Sequence, residues 1–316
     1  MDNARPHPPV VSIGLPIYNG AKFVRQAFDS ILAQTFGDFE LIVSDNASTD
    51  GTFAICEEYA AKDARIRLFR NERNMGATYN YNRVFELARG KYFRHAAHDD
   101  LLAPTNIERC VEVLEANPNV MLSYPRMQRI DEQGNVIDSF QDSLDIRDAD
   151  PVRRWVRFHQ LCNDGSMCDP VFGLFRSSML AQTPVLGNFI SADMILLSEA
   201  ALHGEIHEVP EFLFFERWHA GTSVNANPTL EDRAAWFSPE NRGKLINYLP
   251  QWIWLREYLR AIGRSPLRLS QKAACSAVML PWMARNKRGL VLGLVTVSAL
   301  VLRLPRVAAR FATQYH

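Results

Sequence analysis

The chain of 316 residues is most easily approached through what it does not contain. It has no net charge, because 35 Lys and Arg balance 35 Asp and Glu. That balance removes the electrostatic case for a nucleic-acid partner. It has only five cysteines, Cys56, Cys110, Cys162, Cys168 and Cys275, scattered and without a CxxC pair. No ligand cluster for zinc follows from that spacing, and free thiols in a reducing compartment are expected. The opening stretch, MDNARPHPPV, has no apolar h-region, so no secretory signal is expected. No Gly-x-Gly-x-x-Gly follows the first apolar run, which argues against a dinucleotide-dependent oxidoreductase. No internal repeat or low-complexity segment stands out. What is present is a composition that is 47% hydrophobic, enough for one large α/β domain or two modest ones.

Residues 10–130 alternate between two periodicities. The apolar, β-branched run 10–18 ends at Asn19-Gly20 and reads as a buried strand. Residues 22–34 carry Phe23, Ala27, Ile31 and Leu32 at helical spacing. Strands are expected again at 39–44, 66–69 and 91–97. Between them lie a helix capped by Asp50 that runs through Tyr59, and a helix over 76–88 closed by Gly90. Further on, the pattern predicts a helix after Pro104 to about Asn117, a strand over 120–130 and a turn at 131–135. A short strand over 171–175, a helix over 192–203 and two strands at 205–209 and 212–218 complete the readable pattern. The charged stretch from 135 to about 165 is weakly periodic and reads as a variable acceptor-side segment. Alternation with short connections implies a mostly parallel sheet with helices on both faces, whose ligands bind beyond the carboxyl ends of the strands. Polar clusters fall there three times: Asp45, then residues 71–74, then Asp99 and Asp100.

The segments VSIGLPIYNGAKFVRQAFDSILAQTFGDFELIVSDNASTDGT, NERNMGATYNYNRVFELARGKY and HDD, in this order, resemble a family 2 glycosyltransferase. The resemblance covers roughly residues 10–225 and is strongest before 105. It implies a GT-A fold, a Rossmann-like mostly parallel sheet with a C-terminal helical extension. It also implies inverting, metal-dependent transfer of a sugar from a nucleotide-diphosphate sugar to an acceptor hydroxyl. Domain boundaries are expected at 1–230 for the catalytic unit and 231–316 for the helical extension. Within the catalytic unit, 8–130 would bind the donor and 131–230 the acceptor.

The chemistry of such a donor agrees with the matching positions. A nucleobase needs an apolar wall, which Pro16 and Tyr18 can supply, and a directional acceptor, which Asp45 can supply. Arg70 or Arg73 can pair with the diphosphate or ribose through a guanidinium fork. Gly76 permits a tight strand-to-helix turn, and Asn82 reads as a structural hydrogen-bonding residue. Asp99 and Asp100 form a hard, oxygen-only site of the kind Mg2+ or Mn2+ takes alongside phosphate oxygens. By resemblance Asp100 is the direct metal ligand, and Asp99 reaches the ribose or the metal. A helix N-cap would explain only one of the two carboxylates. Asp193 stands where the family carries its general base, with Asp164 and Asp169 as rivals. Arg217, His219 and Ser223 in RWHAGTS resemble the family's late Arg-x-His block, where His219 could join the metal shell or hold a phosphate.

Two departures stand out. Ala97 and Ala192 occupy positions where the family often has acids. They motivate an alternative, a non-catalytic nucleotide-sugar-binding protein. A nucleotidyltransferase is disfavoured because PIYNG is neither Gly-rich nor basic. Residues 290–302 form a thirteen-residue apolar run flanked by Arg285, Lys287 and Arg288 before it and Arg303, Arg306 and Arg310 after it. A span needs about 20 apolar residues. The tail is therefore expected to lie at an anionic membrane interface through residues 285–310, or to pack on the catalytic domain or on a second copy. Trp252, Trp254 and Trp282 fit either arrangement. The family implies a saccharide or lipid-linked acceptor in bacterial surface-polysaccharide or glycolipid assembly. The expected location is cytoplasmic, at the inner face of the cell membrane.

Overall fold

The computed structural model describes residues 7–140, 143–162 and 169–302. Its first half alternates β1 (Val11–Ile17), α1 (Val24–Leu32), β2 (Phe39–Asp45), α2 (Thr52–Lys62), β3 (Ile66–Arg70), α3 (Ala77–Glu86) and β4 (Tyr92–His95). β1 and β2 are buried at every position, as strands covered on both faces must be. β1 pairs in parallel with β2 and β4, and β2 with β3. Ile17, Asp45, Arg70 and His95 therefore end their strands along one edge, which positions the site.

The second half adds β5 (Leu101–Leu102), α4 (Asn106–Ala116), β6 (Val120–Ile130), β7 (Val136–Ser139) and α5 (Pro151–Leu161). It continues through β8 (Leu174–Arg176), α6 (Ser177–Leu180), α7 (Ala192–His203) and β9 (Glu205–Arg217). The sheet order is β3-β2-β1-β4-β8-β6-β9-β5, with β7 on β6. β8 runs antiparallel to both β4 and β6. It is wedged close enough that a Cβ on Gly173 would lie 2.7 Å from Leu122 and Tyr124.

Several elements differ from the pattern in the sequence. Residues 205–218 form one strand where two were expected. Its ladder with β6 jumps from Pro125–Val209 to Arg126–Phe212, because Pro125 and Pro210 supply no N–H there. Asp169–Phe172 is a 3-10 turn, so the strand expected over 171–175 begins at Leu174. α5 lies inside the stretch expected to be irregular. Asp150 caps it by accepting the Val152 N–H, and Pro151 starts it. Gly90 does not close α3, which ends at Glu86. Instead it lets β1 approach, since a Cβ there would lie 2.6 Å from the Ser12 nitrogen. The cap residue of α2 is Gly51, with Asp50 accepting the Thr52 N–H at 3.1 Å.

The chain closes with α8 (Ser223–Ala226), α9 (Leu230–Phe237), α10 (Pro250–Arg264), α11 (Leu269–Arg285) and α12 (Lys287–Val301). α10 packs on α7, α11 on α5, and α12 on α10 and α11. Leu255, Tyr258, Cys275, Met279 and Trp282 join the same core as Phe93, Leu122 and Trp155. The tryptophans serve that packing: Trp252 donates to the Leu290 carbonyl, Trp254 to the Ile190 carbonyl, and Trp282 is buried. Among the described residues no helix is long and apolar enough to cross a membrane. Cys56, Cys110 and Cys275 are free and buried, Cys162 is buried, and Cys168 lies outside the described residues.

Candidate active site

One part of the candidate site is built from loops after β1, β2 and β3. Tyr18 follows β1 and is 44% exposed, whereas Pro16 is buried within the strand opposite Ser44. Asn19 takes a left-handed φ of 52°, which asparagine tolerates. Its N–H donates to Ser48 Oγ, and its Oδ1 accepts the Thr49 N–H, both at 2.9 Å. Asp45 is fully buried, and its carboxylate accepts the Ser48 N–H and forms an ion pair with Arg70 Nε at 3.1 Å. The half-exposed Arg70 guanidinium lies over the Phe53 ring and also donates to the Ser48 carbonyl. A base edge could reach Asp45 only if Arg70 turned aside. Arg73 stays on the exposed loop, its Nε 3.5 Å from Met75 Sδ.

An asparagine network fixes these loops. Asn46 donates to Asn74 Oδ1 at 2.9 Å and accepts from Asn71 Nδ2 and the Met75 N–H. Asn80 accepts from Ser44 Oγ and Asn71 Nδ2 and donates to the Ser44 carbonyl. Asn82 both donates to and accepts from the Leu186 backbone, the structural role expected of it. Gly76 opens α3 at φ 85°, and a Cβ there would lie 2.6 Å from the Phe237 carbonyl oxygen. The helical extension thus rests on the donor loop.

Asp99 and Asp100 follow β4 and are held from the end of β9. The Asp99 carboxylate lies 2.9 Å from His219 Nε2. Asp100 Oδ1 accepts the Arg217 N–H at 2.9 Å. The Arg217 side chain is 1% exposed and donates to the Asp99, Asp131 and Glu132 carbonyls and to Gln26 Oε1. It ties three backbone carbonyls and Gln26 together at the end of β9. Burial works to raise Asp99, but the His219 hydrogen bond and the His98 and His219 charges outweigh it and lower its pKa. Asp100 is raised well above the usual carboxylate range by burial and then by the Asp99 charge.

Asp193 lies in the first turn of α7, where the helix dipole supports a negative charge. Asp169, at the turn before β8, is pushed up to about 7 by burial, with the Glu216 and Asp193 charges adding to it. Asp164 lies outside the described residues. Tyr81 of α3 was not singled out in the sequence. Burial raises its phenol, and the charges of Asp99, Asp100 and Asp193 raise it further, in that order. Its hydroxyl has no hydrogen-bond partner among the described residues. Its ring lies 6.5 Å from that of Trp236 of α9 and packs by Leu186 and Ala192. Tyr81 thus sits within electrostatic reach of donor-side and acceptor-side carboxylates together. No sequence signal separates it from an ordinary helix aromatic, because its neighbours come from four distant segments.

Among the described residues no three His, Cys, Asp or Glu side chains form a preassembled metal cluster. The donor set still suits a hard cation. Mg2+ and Mn2+ take one or two carboxylates plus phosphate oxygens and water, and a neutral imidazole suits Mn2+. Asp99, Asp100 and His219 are the residues that would hold it.

The sequence model of glycosyl transferase family 2 matches residues 12–182. An uncharacterized glycosyltransferase of Methanocaldococcus jannaschii, MJ1057, is 35% identical over 135 residues, covering 42% of this chain and 47% of its own length. Chondroitin synthase of Escherichia coli is 34% identical over 131 residues, covering 42% of this chain and 19% of its own. The matched region is thus under half the length of these relatives. Among solved structures, S. aureus TarS 1-349 in complex with UDP-GlcNAc superposes with a TM-score of 0.63 at 14% identity, over 96% of this chain and 91% of that one. The mannosyltransferase PcManGT of Pyrobaculum calidifontis, in complex with GDP-Man and Mn2+, gives 0.52 at 17% identity, over 98% and 88%. At these identities the structural likeness speaks for the fold, which is GT-A.

Proposed function

This chain belongs to glycosyl transferase family 2, and from that membership and the geometry of its cleft we propose that it is an inverting transferase acting on a nucleotide-diphosphate sugar. The observation that carries the reading is the cluster beyond the carboxyl ends of the parallel strands, where Asp99 lies 2.9 Å from His219 Nε2 and Asp100 accepts the Arg217 N–H at 2.9 Å. Tyr18 forms the wall for the nucleobase, beside the buried Pro16. Arg70, anchored by Asp45, and Arg73 meet the ribose and diphosphate. Asp99, Asp100 and His219 would hold a divalent cation, and such a cation would supply neutralising charge to the diphosphate leaving group. Asp193 accepts the proton of the acceptor hydroxyl. The acceptor oxygen then bonds to the anomeric carbon as the bond to the diphosphate breaks, with inversion. The acceptor is a saccharide or lipid-linked saccharide of surface-polysaccharide or glycolipid assembly. A chondroitin synthase among the relatives supports a polysaccharide product. Buried free thiols support a cytoplasmic location.

The test is a thermal-shift panel of UDP- and GDP-sugars with and without Mn2+. A true donor at a hundredfold over its dissociation constant adds about 2.7 kcal/mol of stability. The same donor should release its nucleoside diphosphate in the presence of Mn2+. Asp193→Asn should abolish transfer while donor binding remains. Transfer that survives the substitution would pass the base role to Asp169. A panel with no Mn2+-dependent stabilisation would overturn the reading.

A further inference from the structure

The electrical neutrality of the chain conceals a strong partition. Glu257 is the last acid in the sequence. Residues 258–316 hold ten Lys or Arg and no Asp or Glu, so the first 257 residues carry ten more acids than bases. Within the described part of that basic region, α12 uses one stripe for packing. Leu290, Gly293, Thr296 and Ala299 are buried, and Trp252 donates to the Leu290 carbonyl at 3.0 Å. Its opposite stripe, Val291, Leu294, Val295 and Val301, faces outward. α11 repeats the arrangement with Ala273, Ala277, Leu280 and Ala284 exposed, Leu280 at 69%. Exposed Arg285, Lys287 and Arg288 stand at the junction of the two helices.

We propose that the outward face of α11 and α12 docks onto an anionic lipid bilayer, with the basic junction at the headgroups and the apolar stripes in the interface. Contiguous exposed apolar surface on a water-soluble fold marks an interaction site. A helix with apolar residues outward and cations at its end is suited to lie in the plane of a membrane. A second copy is the poorer occupant. A two-fold interface would set the same patch against itself and bring both Arg285, Lys287 and Arg288 clusters together. The acidic remainder of the chain is repelled by an anionic surface, so the field of the whole protein turns this face toward the bilayer. The face is separate from the cleft, and the inference holds whichever donor the cleft takes.

The experiment is co-sedimentation of the full chain with vesicles of phosphatidylcholine alone and of phosphatidylcholine mixed with phosphatidylglycerol, which needs no turnover. Binding to the anionic vesicles should exceed binding to the neutral ones by at least about tenfold and should weaken as salt shortens the screening length. Lys287→Gln with Arg288→Gln should cut it by roughly tenfold or more. Val291→Gln with Leu294→Gln should do the same without lowering the melting temperature, since both side chains are exposed. Equal binding to both vesicle types, or binding untouched by either pair of substitutions, would overturn the proposal. So would a dimer in light scattering that the apolar pair dissociates in a protein that ignores vesicles. Because donor binding is read separately by thermal shift, failure here is distinguishable from failure of the transferase reading.

Discussion

Nε2 of His219 and the carboxylate of Asp99 meet at 2.9 Å across a sequence separation of 120 residues. The contact joins the loop after β4 to the loop after β9, and Arg217 reinforces it by holding both the Asp99 carbonyl and the Asp100 carboxylate. His219→Ala should leave the fold intact but free the Asp99 carboxylate to swing. The expected result is a rise of about ten- to a hundredfold in the Mn2+ concentration that half-saturates activity, with smaller effects at saturating Mn2+. A Mn2+ titration of transfer rate checks it.

Burial and the Asp99 charge raise the Asp100 pKa well above the carboxylate range, so the fold disfavours a charge on Asp100. Asp100→Asn keeps an oxygen for the Arg217 N–H and removes that charge. In chelator the variant should therefore melt at a higher temperature than the parent, while Mn2+ should no longer stabilise it. Transfer should fall by at least about a hundredfold. A parallel fall in stability would show that the Asp100 charge supports the fold.

Tyr81→Phe removes one hydroxyl and keeps the ring against Trp236. If that hydroxyl contacts the sugar or the diphosphate, kcat/KM should fall by about tenfold, the scale of one hydrogen bond in the cleft, with the melting temperature unchanged. Steady-state kinetics with the best donor of the panel decides it.

Asp169 has a folded pKa of about 7, above the ordinary carboxylate range. The folded chain therefore holds a proton that the unfolded chain has released, and stability declines as pH rises from about 4 to about 7. Asp169→Asn should match the parent near pH 4 and exceed it near pH 8, by about 1–2 kcal/mol once partial solvent screening is allowed for. Urea unfolding at the two pH values measures the difference.

Gly76→Ala should destabilise by about 2 kcal/mol or more. The φ of 85° strains any Cβ, and the Phe237 carbonyl oxygen and the Ser238 Cα leave no space for one. Chemical denaturation reads the loss, and a weaker donor should accompany it.

Where a segment's own residues decide its structure, the sequence was readable. β1 and β2 are apolar runs buried on both faces, and α7 occupies 192–203 as its spacing implies. α5 was hidden because Arg154 and His159 occupy buried positions, Arg154 by donating to the Ala201, Asp148 and Ala149 carbonyls. A pattern reader scores both residues as surface. In the site, Asp99, Asp100 and His219 were legible as strand-end residues and do meet. The backbone-tying role of Arg217 and the position of Tyr81 are not legible in the sequence, because they depend on groups contributed by remote parts of the chain.

The contact beneath Gly76 bears on how such a protein can be recombined. The floor of the donor loop is laid by Phe237 and Pro239, which lie beyond the region that the family model matches. A chimera that exchanges everything after residue 230 with a relative would import the support of this loop along with its helices. On the proposed reading, in which this loop meets the donor, donor preference and the C-terminal helices would be inherited as one module, and a shortened chain ending at 230 would lose grip on its donor before losing its sheet.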